Sequence, residues 1–221
     1  AVLVDRFSAS ASEIFAGAIQ DYHRGVVLGQ RTFGKGTVQN LVPLSKWSSR
    51  PVNGQLTVTI GKFYRVTGES TQLKGVQPDI ELPSRVSTAD VGESVLDYPL
   101  PWDRIPSVPF RAYGPLGESV QTLSKEQVAH EARDADYQWL LAALATLEQG
   151  RKDKALSLNL AQREHERTQQ EAQALARENA RRAADALPPL KALTDLKPED
   201  QPDVVLAEAV RITARYALSS P

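Results

Sequence analysis

Ser10, Lys35 and Gln39 fall within one segment, SASASEIFAGAIQDYHRGVVLGQRTFGKGTVQ, over residues 8–39. A serine can attack a carbonyl carbon, a neutral lysine can take the serine's proton, and a glutamine can steady the amine. Ser10-Ala11-Ser12-Glu13 also has the S-x-x-E pattern of a helix capping box, in which Ser10 would cap the amide of Glu13. The two readings share a geometry. A serine at the first turn of a helix lies beside free backbone amides, and that of Ala11 could stabilise an oxyanion. The small neighbours Ala9 and Ala11 would let a substrate backbone come close.

Lys35 stands between Gly34 and Gly36 and could equally sit at a hairpin tip. On a strand, Lys35, Thr37 and Gln39 would share one face, and Gln39 could then hydrogen-bond the lysine amine. To act as a base near neutrality, Lys35 must lose its proton well below the free lysine value of about 10.4. That demands roughly 4 kcal/mol of differential stabilisation, available from desolvation or a nearby positive charge. Phe33, Val38 and the helix face carrying Phe15 are the expected sources of burial. A phosphate loop is a poor match, because Gly36 rather than Ser or Thr follows Lys35. His23 falls at the far end of the helix after Ser10, several turns away, and reads as a surface cap rather than a triad member. Asp21, near the same helix end, needs a cationic partner there, and Arg24 or Lys35 could provide it.

The elements that would position these groups form a strand–helix–strand order. The spacing predicts a strand over 1–4, a helix over 11–22 with Ile14, Phe15, Ala18, Ile19 and Tyr22 on its apolar face, and a short strand over 25–28. Strands over 36–41 and 56–66 follow, with a bulge at Gly61. Residues 1–83 carry nine Lys and Arg against six acids and read as a mixed α/β layer. Residues 84–120 hold five prolines from Pro99 to Pro115 and read as an extended connector. Residues 121–221 read as a mainly helical domain, with helices over 134–149, 161–185 and 203–218 and a short strand over 156–160. The long helix balances five arginines against five acids and reads as a solvated face laced with ion pairs.

Composition narrows the function. A net charge of −1 gives no electrostatic reason to expect nucleic acid as partner. The absence of cysteine excludes disulfides, thiolate metal sites and cysteine nucleophiles, and the three scattered histidines argue against a histidine-built metal site. No apolar run approaches membrane-spanning length, and no signal peptide opens the sequence. The chain has no methionine and opens directly in the apolar run AVLVD, which suggests a fragment of a longer polypeptide.

DRFSASASEIF, QDY and TFGKGTVQ together resemble the signature of the tail-specific proteases, also called C-terminal processing peptidases. The resemblance continues through KFYRVTGESTQLKGVQPDIELP and YPLPWDRIPSV, and more weakly through LSLNLAQRE. It implies an α/β protease core, of which 1–83 is the C-terminal part, followed by the helical extension of the larger Gram-negative members. By this match Ser10 is the nucleophile, Lys35 the general base, Gln39 its orienting partner and Asp21 an acidic residue linked with activity. Ala11 supplies an oxyanion amide. No cofactor or metal is implied. The family cleaves proteins near apolar C-termini, in the periplasm at the inner-membrane face for the larger members, which work with a lipoprotein adaptor. Homo-oligomerisation is a further expectation. The family's PDZ domain and the turn that completes the oxyanion hole are not in this sequence. Without the second donor about 3 kcal/mol of transition-state stabilisation is lost, so this chain alone is expected to be weak or inactive. The competing reading is a non-catalytic module that docks an adaptor or another protomer through residues 121–221.

Overall fold

β1 (Val2–Val4) runs parallel to β2 (Val27–Gly29), and β2 runs parallel to β5 (Ile80–Glu81), giving a three-stranded sheet in the order β1-β2-β5. The computed structural model describes residues 1–219 and divides into two units, one of residues 1–120 and one from Gln121 onward. Parallel neighbours need a crossover, and α1 (Ala11–Asp21) supplies it between β1 and β2. β3 (Thr37–Pro43) and β4 (Gln55–Lys62) form a separate antiparallel ribbon. The first unit is thus built from helix and small sheets of both kinds.

The ribbon bulges where the sequence suggests. Val38 pairs with Gly61 and Gln39 with Thr59, so Ile60 is the extra residue beside Gly61. β4 is shorter than expected and ends at Lys62. The core of the first unit joins Val4, Ala16, Val27 and Val76, with Val2 and Ile19 packed against it.

The packing of α1 corrects an expectation. The helix buries Glu13, Ala16, Gly17 and Asp21, while Ile14 and Phe15 are 40% and 58% exposed. Close approach over a three-stranded sheet favours the small residues, and Gly17 leaves room for the Arg65 side chain, 3.4 Å from where a Cβ would lie. Ile14 and Phe15 therefore face outward, while Ile19 still packs against the core.

The second unit holds most of α2 (Gly117–Glu131), with α3 (Ala135–Lys152), α4 (Leu160–Ala184) and α5 (Val204–Ser219). Tyr137, Leu140 and Val204 form its apolar centre, with Trp139, Leu144 and Val205 around them. The expected strand over 156–160 is absent: Leu156 and Leu158 are exposed, and Leu160 opens α4, capped by Asn159. Alternation alone does not make a strand without a partner ladder. The solvated reading of α4 holds for Arg163–Glu166 and Arg167–Glu171 but fails at its C-terminal end. There Glu178, Arg181 and Arg182 are buried, with Arg181 bonded to Glu178 and Asp136. No helix among the described residues is long and apolar enough to cross a membrane.

Candidate active site

Ser10 ends the turn between β1 and α1. Asp5 shapes that turn by accepting the amides of Phe7 (3.0 Å) and Ser8 (2.9 Å) on Oδ1. Arg6 is fully buried behind it and donates to the carbonyls of Val91 and Thr32. Burial, helped by Arg31 and opposed by Glu13, lowers the Arg6 pKa from its ordinary value.

Ser10 itself has φ +56° and ψ −113°, a conformation that L residues rarely adopt. Holding it costs on the order of 1–3 kcal/mol, and such residues cluster where a side chain must be presented. The hydroxyl does not cap the helix. The Glu13 amide donates instead to the Ser10 carbonyl (2.9 Å), and no side-chain cap bond is made. Glu13 Oε2 accepts the Ser10 amide at 2.9 Å, the return arm of a capping box. Ser10 is thus exposed at a strained strand-to-helix turn, a geometry from which a serine can be presented to a substrate. Ala11 is the first residue of α1, so its N–H has no carbonyl one turn earlier to donate to.

Glu13 carries much of the site's order, a role the sequence reading had confined to capping. It is fully buried, and its carboxylate accepts four donors. Oε2 takes the amides of Ser10 and Lys35 (2.8 Å), and Oε1 takes the Gly34 amide (2.7 Å) and the Thr32 hydroxyl. Thr32 Oγ1 in turn accepts the Val76 amide at 2.7 Å. One carboxylate thus ties the serine turn to the lysine loop and to the core.

Lys35 lies outside β3, which begins only at Thr37, in an irregular segment over 30–36. Strand alternation therefore does not align it with Thr37 and Gln39, which corrects the expected shared face. The flanking glycines make the loop possible. Gly34 has φ +95°, and a Cβ there would sit 2.9 Å from the Leu73 carbonyl carbon. A Cβ on Gly36 would meet the Gln72 backbone nitrogen at 2.7 Å. Gln72 Oε1 also accepts the Gly36 amide (2.9 Å), and its Nε2 donates to buried Glu93 (2.9 Å). Lys35 is half-buried, while Phe15 and Val38, two of the expected sources of its burial, are themselves exposed.

The remaining candidates lie further out. Gln39 is exposed, and the hydrogen bond its amide makes goes to Thr59 Oγ1 (3.3 Å), directly across the ladder. Asp21 is buried and held by Arg65, whose Nε donates to Oδ2 at 2.9 Å and whose Nη2 donates to Oδ1. Its partner is thus Arg65 rather than Arg24 or Lys35, because the chain after β4 folds back along α1. Ten helical steps from Ala11, it stands about 15 Å along the axis from the serine end. His23 Nδ1 lies 2.8 Å from the Gly114 carbonyl, and Arg24 stacks on Tyr113, so that helix end seats the proline-rich segment.

Comparison with known proteins decides the family. The C-terminal domain model of tail-specific proteases matches residues 86–217, and the model of peptidase family S41 matches residues 1–82. The chain belongs to the tail-specific protease family. A tail-specific protease of Haemophilus influenzae is 40% identical over 98% of this chain and 32% of its own length. A carboxy-terminal-processing protease of Bartonella bacilliformis is 44% identical over 43% of this chain and 22% of its own. The chain therefore spans about a third or less of these relatives. The solved structure of a photosystem II D1 C-terminal processing protease is 43% identical over 37% of this chain and 19% of that one, with a TM-score of 0.32.

In this tail-specific protease chain the sequence reading missed Thr32, Gln72 and Arg65. Each acts through a long-range hydrogen bond that no local spacing announces. For Glu13, the S-x-x-E pattern was the available signal.

Proposed function

We propose that this chain carries the nucleophile and general base of a serine endopeptidase that processes proteins near their C-termini. The supporting observation is Ser10: a strained strand-to-helix turn exposes its hydroxyl, free of capping, while Glu13 ties its backbone to that of Lys35. In the proposed reaction Oγ attacks the scissile carbonyl as its proton passes to neutral Lys35, and the Ala11 N–H donates to the oxyanion. Collapse breaks the C–N bond, and the leaving amine takes the proton from Lys35. Water then hydrolyses the acyl-enzyme with the same lysine as base. Gln39 and Asp21 act indirectly, Gln39 on β3 through Thr59 and Asp21 on α1 through Arg65. No metal or nucleotide takes part.

Residues 1–83 then form the C-terminal part of the protease core, and the helical unit is its extension. Substrates are proteins with apolar C-termini, met in the periplasm. The helical unit docks a lipoprotein adaptor or a second copy of the chain.

The test labels the intact polypeptide with a fluorophosphonate and follows cleavage of an unfolded substrate ending in apolar residues. Ser10→Ala is expected to abolish labelling, and Lys35→Ala to slow both reactions by about a thousandfold or more. Unchanged labelling in Lys35→Ala would remove the lysine from the mechanism.

A further inference from the structure

His130, Asp134 and Glu208 meet in the helical unit, and each offers an uncommitted ligand atom to the same point. His130 lies near the end of α2, Asp134 caps α3 and Glu208 lies on α5. His130 Nδ1 is buried and has no hydrogen-bond partner among the described residues. It stands 3.8 Å from Glu208 Oε1 and 4.0 Å from Asp134 Oδ2, and the three atoms lie within 4.8 Å of one another.

The other oxygen of each carboxylate is already engaged. Asp134 Oδ1 accepts the Tyr137 amide at 2.7 Å, which fixes the start of α3. Glu208 Oε2 accepts Arg211 Nε at 3.0 Å, and Arg211 is braced in turn by Gln127. Glu131, the nearest further acid on α2, takes the Tyr137 hydroxyl at 2.7 Å. What remains directed at the cluster centre is one imidazole nitrogen and one oxygen from each carboxylate. Glu208, with a side chain only 6% exposed, has Arg211 as its charge partner through Oε2 alone, which leaves Oε1 facing His130 and Asp134.

We propose that His130, Asp134 and Glu208 form a zinc site that pins the α2–α3 turn to α5. One imidazole and two carboxylates suit Zn2+, with water completing a tetrahedron. Bonds of about 2.1 Å place donors roughly 3.4 Å apart, so the three groups must close by less than about 1.5 Å. His130 and Asp134, with side chains 31% and 32% exposed, have room to close that gap, Asp134 by turning about the Oδ1 held on the Tyr137 amide. The Arg211 and Tyr137 contacts are the outer hydrogen bonds that orient such ligands. The sequence discouraged a histidine-rich site, but this one needs a single imidazole, with its acids 4 and 78 positions downstream of His130.

Zinc titration of the full chain by calorimetry and thermal melting tests the site without any activity assay. The expected result is one saturable equivalent and a melting temperature that rises with zinc. Both are lost in His130→Ala and weakened at least tenfold in Glu208→Gln, which keeps an acceptor for Arg211. His165→Ala, on an exposed part of α4, retains both. Circular dichroism of the zinc-free variants checks that they fold; for a misfolded His130→Ala, His130→Gln replaces it. The absence of a saturable equivalent in the wild-type chain overturns the proposal. So does binding that survives in folded His130 and Glu208 variants, or an NMR titration in which protonation alone moves the His130 ring and zinc does not.

Discussion

Ser10 and Lys35 donate their backbone amides to the same oxygen, Glu13 Oε2, at 2.9 and 2.8 Å. The two residues proposed to exchange a proton are therefore held at fixed backbone positions by one buried carboxylate, while their side chains stay free of it. A shared acceptor couples the turn and the loop, so neither moves without breaking a hydrogen bond to buried Glu13. Strain at Ser10 is sustained because this hydrogen bond and the start of α1 both oppose its relaxation.

Glu13→Gln is expected to damage stability and labelling together. The amide replaces one carboxylate oxygen with an NH2, which faces amides that can only donate. Leaving buried donors unpaired costs about 1–3 kcal/mol each. Urea unfolding should show a lower midpoint, and fluorophosphonate labelling of Ser10 should fall more than the folded fraction does. Labelling that tracks the folded fraction alone would reduce Glu13 to a structural role.

Alanine at Gly34 or Gly36 should displace the lysine loop. Gly34→Ala places a Cβ 2.9 Å from the Leu73 carbonyl carbon at φ +95°, and Gly36→Ala meets backbone at 2.7 Å. Neither obstacle is a flexible side chain, so each substitution should cost about 1–3 kcal/mol or more. Gly61→Ala is the control, since nothing lies within 4 Å of its added Cβ. Equal melting temperatures for all three variants would contradict the packing described around Lys35.

Local patterns carried part of this structure and lost the rest for identifiable reasons. The bulge at Gly61 and the start of α1 at Ala11 follow from single residues whose backbone preferences dominate. The face of α1 did not follow. Periodicity finds an apolar stripe, but Ala16 and Gly17 allow closer approach to the sheet than Ile14 and Phe15 do. α2 has no stripe to announce it, because its apolar residues, Val120, Leu123 and Val128, are too sparse. At the site, Ser10 and Lys35 were visible as types at a spacing. The Glu13 network and the Arg65 clamp depend on chain reversals between residues 19 to 44 positions apart. Gln39 was paired with Lys35 by carrying the strand back to Lys35, two residues before β3 begins at Thr37.

The Asp21–Arg65 pair should behave as a structural clamp on α1. Both side chains are largely buried, at 5% and 13% exposure. Asp21→Asn leaves a buried guanidinium without its charge partner, at a cost of about 3–5 kcal/mol. Replacing both partners, Asp21→Leu with Arg65→Met, should recover part of that loss because no orphaned charge remains. A double-mutant cycle in urea measures the coupling. Additive losses would show that the two residues do not stabilise each other.

Tyr137 makes the helical unit sensitive to alkali. Burial, and then its hydrogen bond to the Glu131 carboxylate, raises the phenol's pKa well above its ordinary value of 10.0. The folded state thus keeps the proton at pH values where the unfolded chain releases it. The sign follows: the stabilisation is complete below the unfolded value and is lost as pH rises from about 10 toward the folded value. Melting temperatures between pH 8 and pH 11 should therefore fall for the wild-type chain. Tyr137→Phe should melt lower at pH 8, by about 1–3 kcal/mol of stability, because Glu131 loses a donor, yet decline less steeply with alkali. Parallel curves for the two proteins would place the alkaline transition elsewhere.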